Sequence, residues 1–244
     1  MKTKSKALLL TLCAVLLVAA SLLGTMAYLT SSDNATNTFT VGKVSIKLDE
    51  AQVDALGNVV SDSRVQANEY KLMPSRTYTK DPTVTVLNGS DAAYVRMKVT
   101  FNKATEIIAL CTDPDMVDEV TGVENAFPLI RMVNYTDTAE LYWDGLLLDN
   151  MFETEEMLAM PKYFAYDETA DTLTYYFYYN ETVGAPNGDV KIPVLFNSIT
   201  VPDWATGEQL AKLEGFEINV VAEAIQAAGF DTADQAWAAF AEQP

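Results

Sequence analysis

Residues 94–101 read YVRMKVTF, and this stretch decides the fold class of the chain. Its side chains alternate without a break: the odd-numbered positions are apolar, and the even-numbered positions are polar or tyrosine. A period of two over this length is typical of a β-strand that buries one of its two faces. The apolar parity consists of Val95, Met97, Val99 and Phe101. The stretch therefore predicts a half-buried strand near the middle of the chain.

The same alternation recurs at residues 37–48, 83–86, 173–179 and 216–224. Residues 190–201 predict a further, largely apolar strand in which Pro193 favours a bulge or an edge position. Asn88-Gly89 joins the run at 83–86 to the run at 94–101, and a short Asn-Gly connection predicts a β-hairpin. Strands spread along a chain with turn residues between them usually pair antiparallel and close on themselves. The sequence predicts a mainly β fold, an antiparallel β-sandwich of jelly-roll type over residues 37–229.

Two regions depart from this period of two. Residues 104–165 lose the alternation, and we expect them to form a helical and irregular insertion between strands. Residues 230–244 have apolar side chains at helical spacing, and Thr232 and Gln235 have the spacing of a capping box. The sequence thus adds inserted helices and a C-terminal helix to the sandwich.

Residues 1–27 form a segment of another kind. Three lysines are followed by an apolar run at residues 7–23 and by small residues up to Ala27. This order is typical of a secretory signal peptide, although the run is also close to the shortest length of a retained membrane anchor. We expect residues 28–36 to be a polar leader, and the mature protein to be extracellular. It would contact the membrane only before signal cleavage.

Charge and composition exclude several classes of function. The chain has 34 acidic and 16 basic residues, and loss of residues 1–27 removes three lysines and no acid. A surface this acidic repels nucleic acid, so no such partner is expected. The chain has no histidine, which excludes Ser-His-Asp and Cys-His catalysis and zinc sites built on imidazole. Cys111 would be the one cysteine of the mature chain, so we expect no internal disulfide. We also expect no enzyme activity; a pair of carboxylates of the glycosidase type is the alternative, because sequence does not give their separation.

Two groups of side chains are candidate ligand sites. Four acids lie within seven residues and carry the oxygen ligands that Ca²⁺ uses, with a solvated loop as the alternative. They are Asp113, Asp115, Asp118 and Glu119. Tyr176 and Tyr178 share one face of the strand predicted at 173–179. Such a face either stacks on a sugar or a partner protein, or is filled by packing within the fold. No other cofactor is expected.

Three motifs, in this order along the chain, resemble the TasA–camelysin family of secreted proteins with a SipW-type signal peptide. The first comprises residues 24–30 (GTMAYLT) and 37–42 (NTFTVG), the second residues 80–84 (KDPTV) and 93–96 (AYVR), and the third residues 216–220 (FEINV) and 224–226 (AIQ). Met26 and Leu29 stand where the family often has aromatic residues. No motif of the family was found in residues 104–165.

The resemblance implies an exported jelly-roll domain that a signal peptidase of the SipW type processes and that assembles into extracellular or biofilm fibres. Some members carry a metallopeptidase label, which a chain without histidine does not support. We expect a structural fibre subunit, with a monomeric cell-surface adhesin or glycan-binding module as the alternative. Processing would free an assembly strand that adds to a neighbour's sheet edge. Its residues are Phe39, Val41, Gly42, Val44 and Ile46.

The pattern Thr25-x-Ala27 after the apolar run predicts cleavage after Ala27, which leaves Tyr28 as the first residue. Cleavage after Tyr28 is the near alternative. N-terminal sequencing and the intact mass of the exported protein measure the position directly. A mature protein whose mass still includes residues 1–23 would contradict the signal peptide and favour the anchor.

Overall fold

The computed structural model describes residues 43–112, 131–145 and 161–242, and these ranges are mainly β, as predicted. The strands are β1 (Ile46–Val53), β2 (Val59–Val65), β3 (Thr77–Thr79), β4 (Thr83–Val86), β5 (Ser90–Asn102), β6 (Val133–Tyr135), β7 (Trp143–Asp144), β8 (Phe164–Asp167), β9 (Thr172–Tyr179), β10 (Val183–Ala185), β11 (Val190–Lys191), β12 (Phe196–Thr200) and β13 (Ile218–Gln226). The helices are α1 (Ala104–Cys111), α2 (Ala139–Tyr142), α3 (Gly207–Lys212) and α4 (Ala233–Ala241).

The described strands form three antiparallel sheets. The first has the order β11-β4-β1-β2, and the smallest has the order β3-β12-β6. In the largest sheet, β5 pairs with β13 along one edge and with β9 and then β10 along the other, while β7 and β8 pair with the far edge of β9. Curled antiparallel sheets of this kind are compatible with a β-sandwich. The jelly-roll connectivity stays a prediction.

The central strand β5 has the alternation that its sequence predicts. Its four apolar side chains from Val95 to Phe101 are completely buried. The neighbouring β9 places Phe177 beside Met97 and Tyr175 beside Val99, so both strands contribute to one core layer. Burial of each such side chain stabilises the fold by about 1.5–3 kcal/mol. β5 and β9 therefore contribute the central side chains of the hydrophobic core of the described domain.

The hairpin predicted for residues 83–86 and 94–101 is wrong. β4 pairs with β1 and β11 in one sheet, and β5 pairs with β9, β10 and β13 in another. Gly89 has a φ of 81° and donates to the carbonyl of Ala185, so this turn carries the chain from one sheet to the next. The Asn-Gly signal located the turn correctly, but both edges of each strand are occupied by other partners.

Residues 104–165 contain more sheet than their sequence predicts. α1 begins at Ala104, where a helix was expected, but β6 pairs with β12, and β7 and β8 pair with β9. These three strands have two to four residues each, which is too short for a periodic signal. The single strand predicted at residues 190–201 is divided into β11 and β12, on either side of Pro193.

The C-terminal helix is present as predicted. In α4 the hydroxyl of Thr232 accepts a hydrogen bond from the amide of Gln235, which is the N-cap interaction that the spacing indicated. Ala236 and Trp237 are its buried residues. A complete capping box, unnoticed in the sequence, begins α3, where Thr206 and Gln209 each bind the backbone amide of the other.

Gly57 lies in the turn between β1 and β2 with a φ of 78°, and a Cβ at this position would lie 2.6 Å from the Cα of Tyr78. We expect Gly57→Ala to lower the free energy of unfolding by about 3 kcal/mol or more. The new Cβ would collide with Tyr78, and an alanine is also strained at this positive φ. Gly229→Ala is the matched control, since Gly229 has a φ of 99° and open space around it. Its expected cost is about 1 kcal/mol. Equal losses in denaturant unfolding would contradict the collision.

Candidate functional site

A groove lies between β1 and β13, and we call it the β1–β13 groove. It encloses about 780 Å³ and is lined by both strands, by the segment 66–72 and by the end of α3 and the loop that follows it. Polar and apolar side chains contribute about equally to its lining. The apolar ones are Leu48, Ala67, Tyr70, Leu72, Pro82, Ile199, Leu210, Leu213, Phe216, Ile218 and Val220, and the acidic ones are Asp49, Glu50, Glu69, Glu214 and Glu217. A cavity of this size is typical of a binding site.

Several apolar side chains of the groove are only half-buried. Ile218 and Val220 of β13 and Leu48 of β1 pack against the core, but they remain partly exposed on the groove side. Their counterparts on β5 are completely buried. The core layer is thus closed over β5 and partly open along the groove, which leaves apolar surface for a further element to cover.

Two strand edges near the groove have no partner strand in the described ranges. β13 pairs only with β5 in the described chain. Residues 46–49 of β1 pair with β4, and the pairing of β1 with β2 starts only at Glu50. The second edge of each of these segments therefore has unpaired amide and carbonyl groups, which are the groups that bind an added strand.

One end of the groove carries buried polar side chains. Lys80 and Glu50 form an ion pair of 2.8 Å between Nζ and Oε2, and their side chains are 8% and 6% exposed. The amide nitrogen of Asn68 donates to the other oxygen of Glu50 at 2.9 Å. The ring of Tyr70 lies beside this pair, with its centroid 5.9 Å from Nζ of Lys80. These residues were not identified from the sequence.

A second ionic cluster fixes the strands beside the groove. Arg64 of β2 binds the carboxylates of Asp49 and Asp81 and donates to the hydroxyl of Thr83. Burial raises the pKa of Asp49, but hydrogen bonds from Lys47 and Arg64 outweigh it, so the pKa lies below its ordinary value. One guanidinium group thus links β2, β1 and the start of β4, and it holds β1 in place at the groove.

Tyr176 and Tyr178, the predicted ligand face, both contact Arg96, and Tyr178 also contacts the C-terminal helix. The guanidinium carbon of Arg96 lies 5.1 Å from the ring centroid of Tyr176 and 4.4 Å from that of Trp237 on α4. The ring of Tyr178 contacts Trp237 edge to face. Arg96 also donates from Nε to Glu223 at 2.5 Å, which is the cross-strand pair expected of a basic residue on this face. Tyr178 thus packs against the protein's own helix, and Tyr176 against Arg96 of the neighbouring strand.

The predicted assembly strand is divided by the described range. Ile46 belongs to β1 and pairs with Val86 of β4, and Val44 lies half-buried just before it. Phe39, Val41 and Gly42 lie outside the described residues, as do the predicted cleavage residues Ala27 and Tyr28. From Ile46 onward this segment is therefore part of its own subunit's sheet. The part of the predicted assembly strand that could be donated to a neighbour is therefore limited to the residues before Lys43.

The predicted calcium ligands also lie outside the described residues. They are Asp113, Asp115, Asp118 and Glu119. Within the described ranges, no three acidic, cysteine or histidine side chains come together as a metal site. Burial raises the pKa of the Cys111 thiol to about 12, so this cysteine is protonated at neutral pH and is not an activated nucleophile.

No protein-family model, no curated protein and no solved structure matches this chain. The resemblance to the TasA–camelysin family therefore rests on the sequence motifs alone. No helix in the described ranges has the length and apolar composition needed to cross a membrane.

A signal for the polar end of the groove is present in the sequence. Glu50 has the same parity as the apolar residues Ile46 and Leu48, and Lys80 has the same parity as Tyr78. Alternation therefore places both charges on inward faces. Two opposite charges at inward positions of different strands indicate a buried ion pair. Whether these two residues meet depends on how the strands are aligned, which alternation does not show.

We expect Arg96→Met to loosen α4 from the sheet, because it removes the cation between the rings and leaves Glu223 without its partner. The expected loss in free energy of unfolding is about 2 kcal/mol. Limited proteolysis should release α4 before the rest of the domain. Lys98→Met, on the same face of β5, is the control and should leave the cleavage rate unchanged. Equal cleavage rates in both variants would contradict the role of Arg96.

Proposed function

We propose that this protein is a secreted structural subunit of an extracellular fibre or biofilm matrix, and that it assembles through its processed N-terminal strand. The β1–β13 groove is the observation that carries the proposal. It combines half-buried apolar side chains with two unpaired strand edges, which together match an added β-strand. The order of the family motifs in the sequence supports the same function.

The donor in this proposal is the segment 28–42 of a second copy. It immediately precedes the first described residue and contains Phe39 and Val41, which share one parity. Fifteen residues reach roughly 50 Å when extended, which is enough to reach a neighbouring subunit. Main-chain hydrogen bonds would provide affinity, and the alternate side chains Phe39 and Val41 would occupy the groove and set the register.

Signal cleavage would act as the switch for this assembly. Before cleavage, the apolar run at residues 7–23 ties the donor segment to the membrane. After cleavage by a signal peptidase of the SipW type, the segment becomes a free end. The strongly acidic subunits repel one another, so added salt should promote assembly by screening this repulsion. A chain that polymerises only after export is protected from assembly inside the cell.

The first test compares the processed protein with a version that lacks residues 28–42. Only the complete processed protein should form fibres as its concentration rises, measured by electron microscopy and sedimentation in added salt. Equal fibre formation by both versions would refute the donor role. The absence of fibres from both, in salt and in acid, would favour the monomeric adhesin.

The second test uses two neighbouring residues of β13. Val220 lines the groove, whereas Val221 lies on the outer face and is 37% exposed. Val220→Asp should raise the concentration needed for assembly by about tenfold or more, because it buries a charge at the joint. Val221→Asp should leave it nearly unchanged. Thermal unfolding of both monomers verifies that they are folded, and equal effects on assembly would exclude the groove as the acceptor.

A further inference from the structure

The side chains of Lys80, Glu50 and Asn68 form a cluster with a defined order of contacts. The two oxygens of the Glu50 carboxylate bind different partners, Nζ of Lys80 at 2.8 Å and Nδ2 of Asn68 at 2.9 Å. An amine and a carboxamide are thus held against the same carboxylate. Lys80 and Glu50 are almost fully buried, and the ring of Tyr70 covers Lys80 on one side.

The carboxamide of Asn68 is bound at both of its ends. Its oxygen accepts a hydrogen bond of 2.9 Å from the backbone amide of Val53, and its nitrogen also donates to the carbonyl of Ala51. A backbone donor aimed at a carbonyl oxygen stabilises the negative charge that develops there when a nucleophile attacks the carbon. These hydrogen bonds also fix the plane of the carboxamide relative to Glu50.

We propose that Lys80 and Asn68 become joined by an intramolecular isopeptide bond, formed by the folded protein itself with Glu50 as general acid and base. The amine Nζ is the nucleophile, the carbon Cγ of Asn68 is the electrophile, and the backbone amide of Val53 is the oxyanion donor. Each of these roles is filled by a group whose hydrogen bond to its neighbour is already present in the structure. This proposal does not depend on the proposed assembly.

The reaction balances without an oxidant or another reactant. Glu50 accepts a proton from the ammonium group of Lys80 across their hydrogen bond, which leaves a neutral amine. The amine forms a bond to Cγ of Asn68, and the bond between Cγ and Nδ2 breaks. One proton from Nζ passes through Glu50 to Nδ2, which leaves as ammonia. A second proton from Nζ remains on Glu50, and the third stays on the new amide.

The position of the bond gives it a mechanical consequence. It joins the segment after β2 to the residue after β3 and closes the loop from residue 68 to residue 80. This loop includes residues that line the groove, among them Tyr70 and Leu72. A covalent link restricts the unfolded chain as a disulfide does. Because Cys111 is the one cysteine outside residues 1–27, an internal disulfide is not accessible to the mature domain.

Intact mass spectrometry of the folded, processed protein under denaturing conditions tests the proposal. The expected mass is that of the sequence minus one ammonia. Trypsin should not cleave after Lys80, and it should yield a branched peptide in which residues 65–71 are joined to residues 77–96. A mass equal to that of the sequence, unchanged after prolonged incubation of the folded protein, would overturn the proposal. A mass lower by one water, with Lys80 joined to Glu50, would overturn the role of Asn68.

Three variants distinguish formation of this bond from other reactions that release ammonia. Lys80→Arg keeps a cation beside Glu50 but has no amine nucleophile, and Glu50→Gln keeps the shape but cannot accept the proton. Both should show the full mass of their sequences. Lys71→Arg changes an exposed lysine of the same loop and should still lose one ammonia. Loss of ammonia that persists in Lys80→Arg would come from another site, such as Asn88-Gly89, and would refute the assignment.

Discussion

β5 has partners along both of its hydrogen-bonding edges, and the other sheets are arranged around this constraint. One edge is paired with β13, the other with β9 and then with β10. Its inward side chains are completely buried, so the strand is fixed in register by packing as well as by backbone hydrogen bonds. Since both edges are occupied, β4 has to leave this sheet at Gly89 and pair with β1.

The β1–β13 groove lies between one strand of the first sheet and one strand of the largest sheet. The apolar residues on the inner face of β13 continue the core layer of β5, but Ile218 and Val220 are only half-buried there. Apolar surface left in water costs about 25 cal/mol per Å², and unpaired strand edges are points at which chains associate. A monomer with this groove is folded and incompletely closed. Such a state suits a subunit that is exported singly and acquires its last strand from a neighbour, as we propose.

Basic residues are scarce in this chain, and three of them lie at structural junctions. There are 16 against 34 acids. Arg64 connects β2 to β1 and to the start of β4, Arg96 holds α4 on the sheet, and Lys80 lies in the interior with Glu50. In an acidic domain each of these cations also reduces repulsion between neighbouring carboxylates. Loss of one of them therefore leaves an unpaired acid in addition to removing a contact.

The sequence by itself determined the mainly β class, the buried face of β5, the strand at β13 and the C-terminal helix with its cap at Thr232. These features are local, because a period of two or 3.6 and a capping residue follow from the neighbours in the chain. It did not determine which strands pair. The turn at Asn88-Gly89 was located but its partners were not, and β6, β7 and β8 are too short to carry a period.

Only the tertiary structure brought Glu50, Asn68 and Lys80 together, from three segments separated by turns. Alternation placed Glu50 and Lys80 on inward faces, but the contact between them depends on strand register and on the path of the segment 66–72. The groove is equally non-local, because it is bounded by two strands from opposite ends of the chain. Registers and sheet exchange are set by the packing of the whole core, and no window of sequence contains that information.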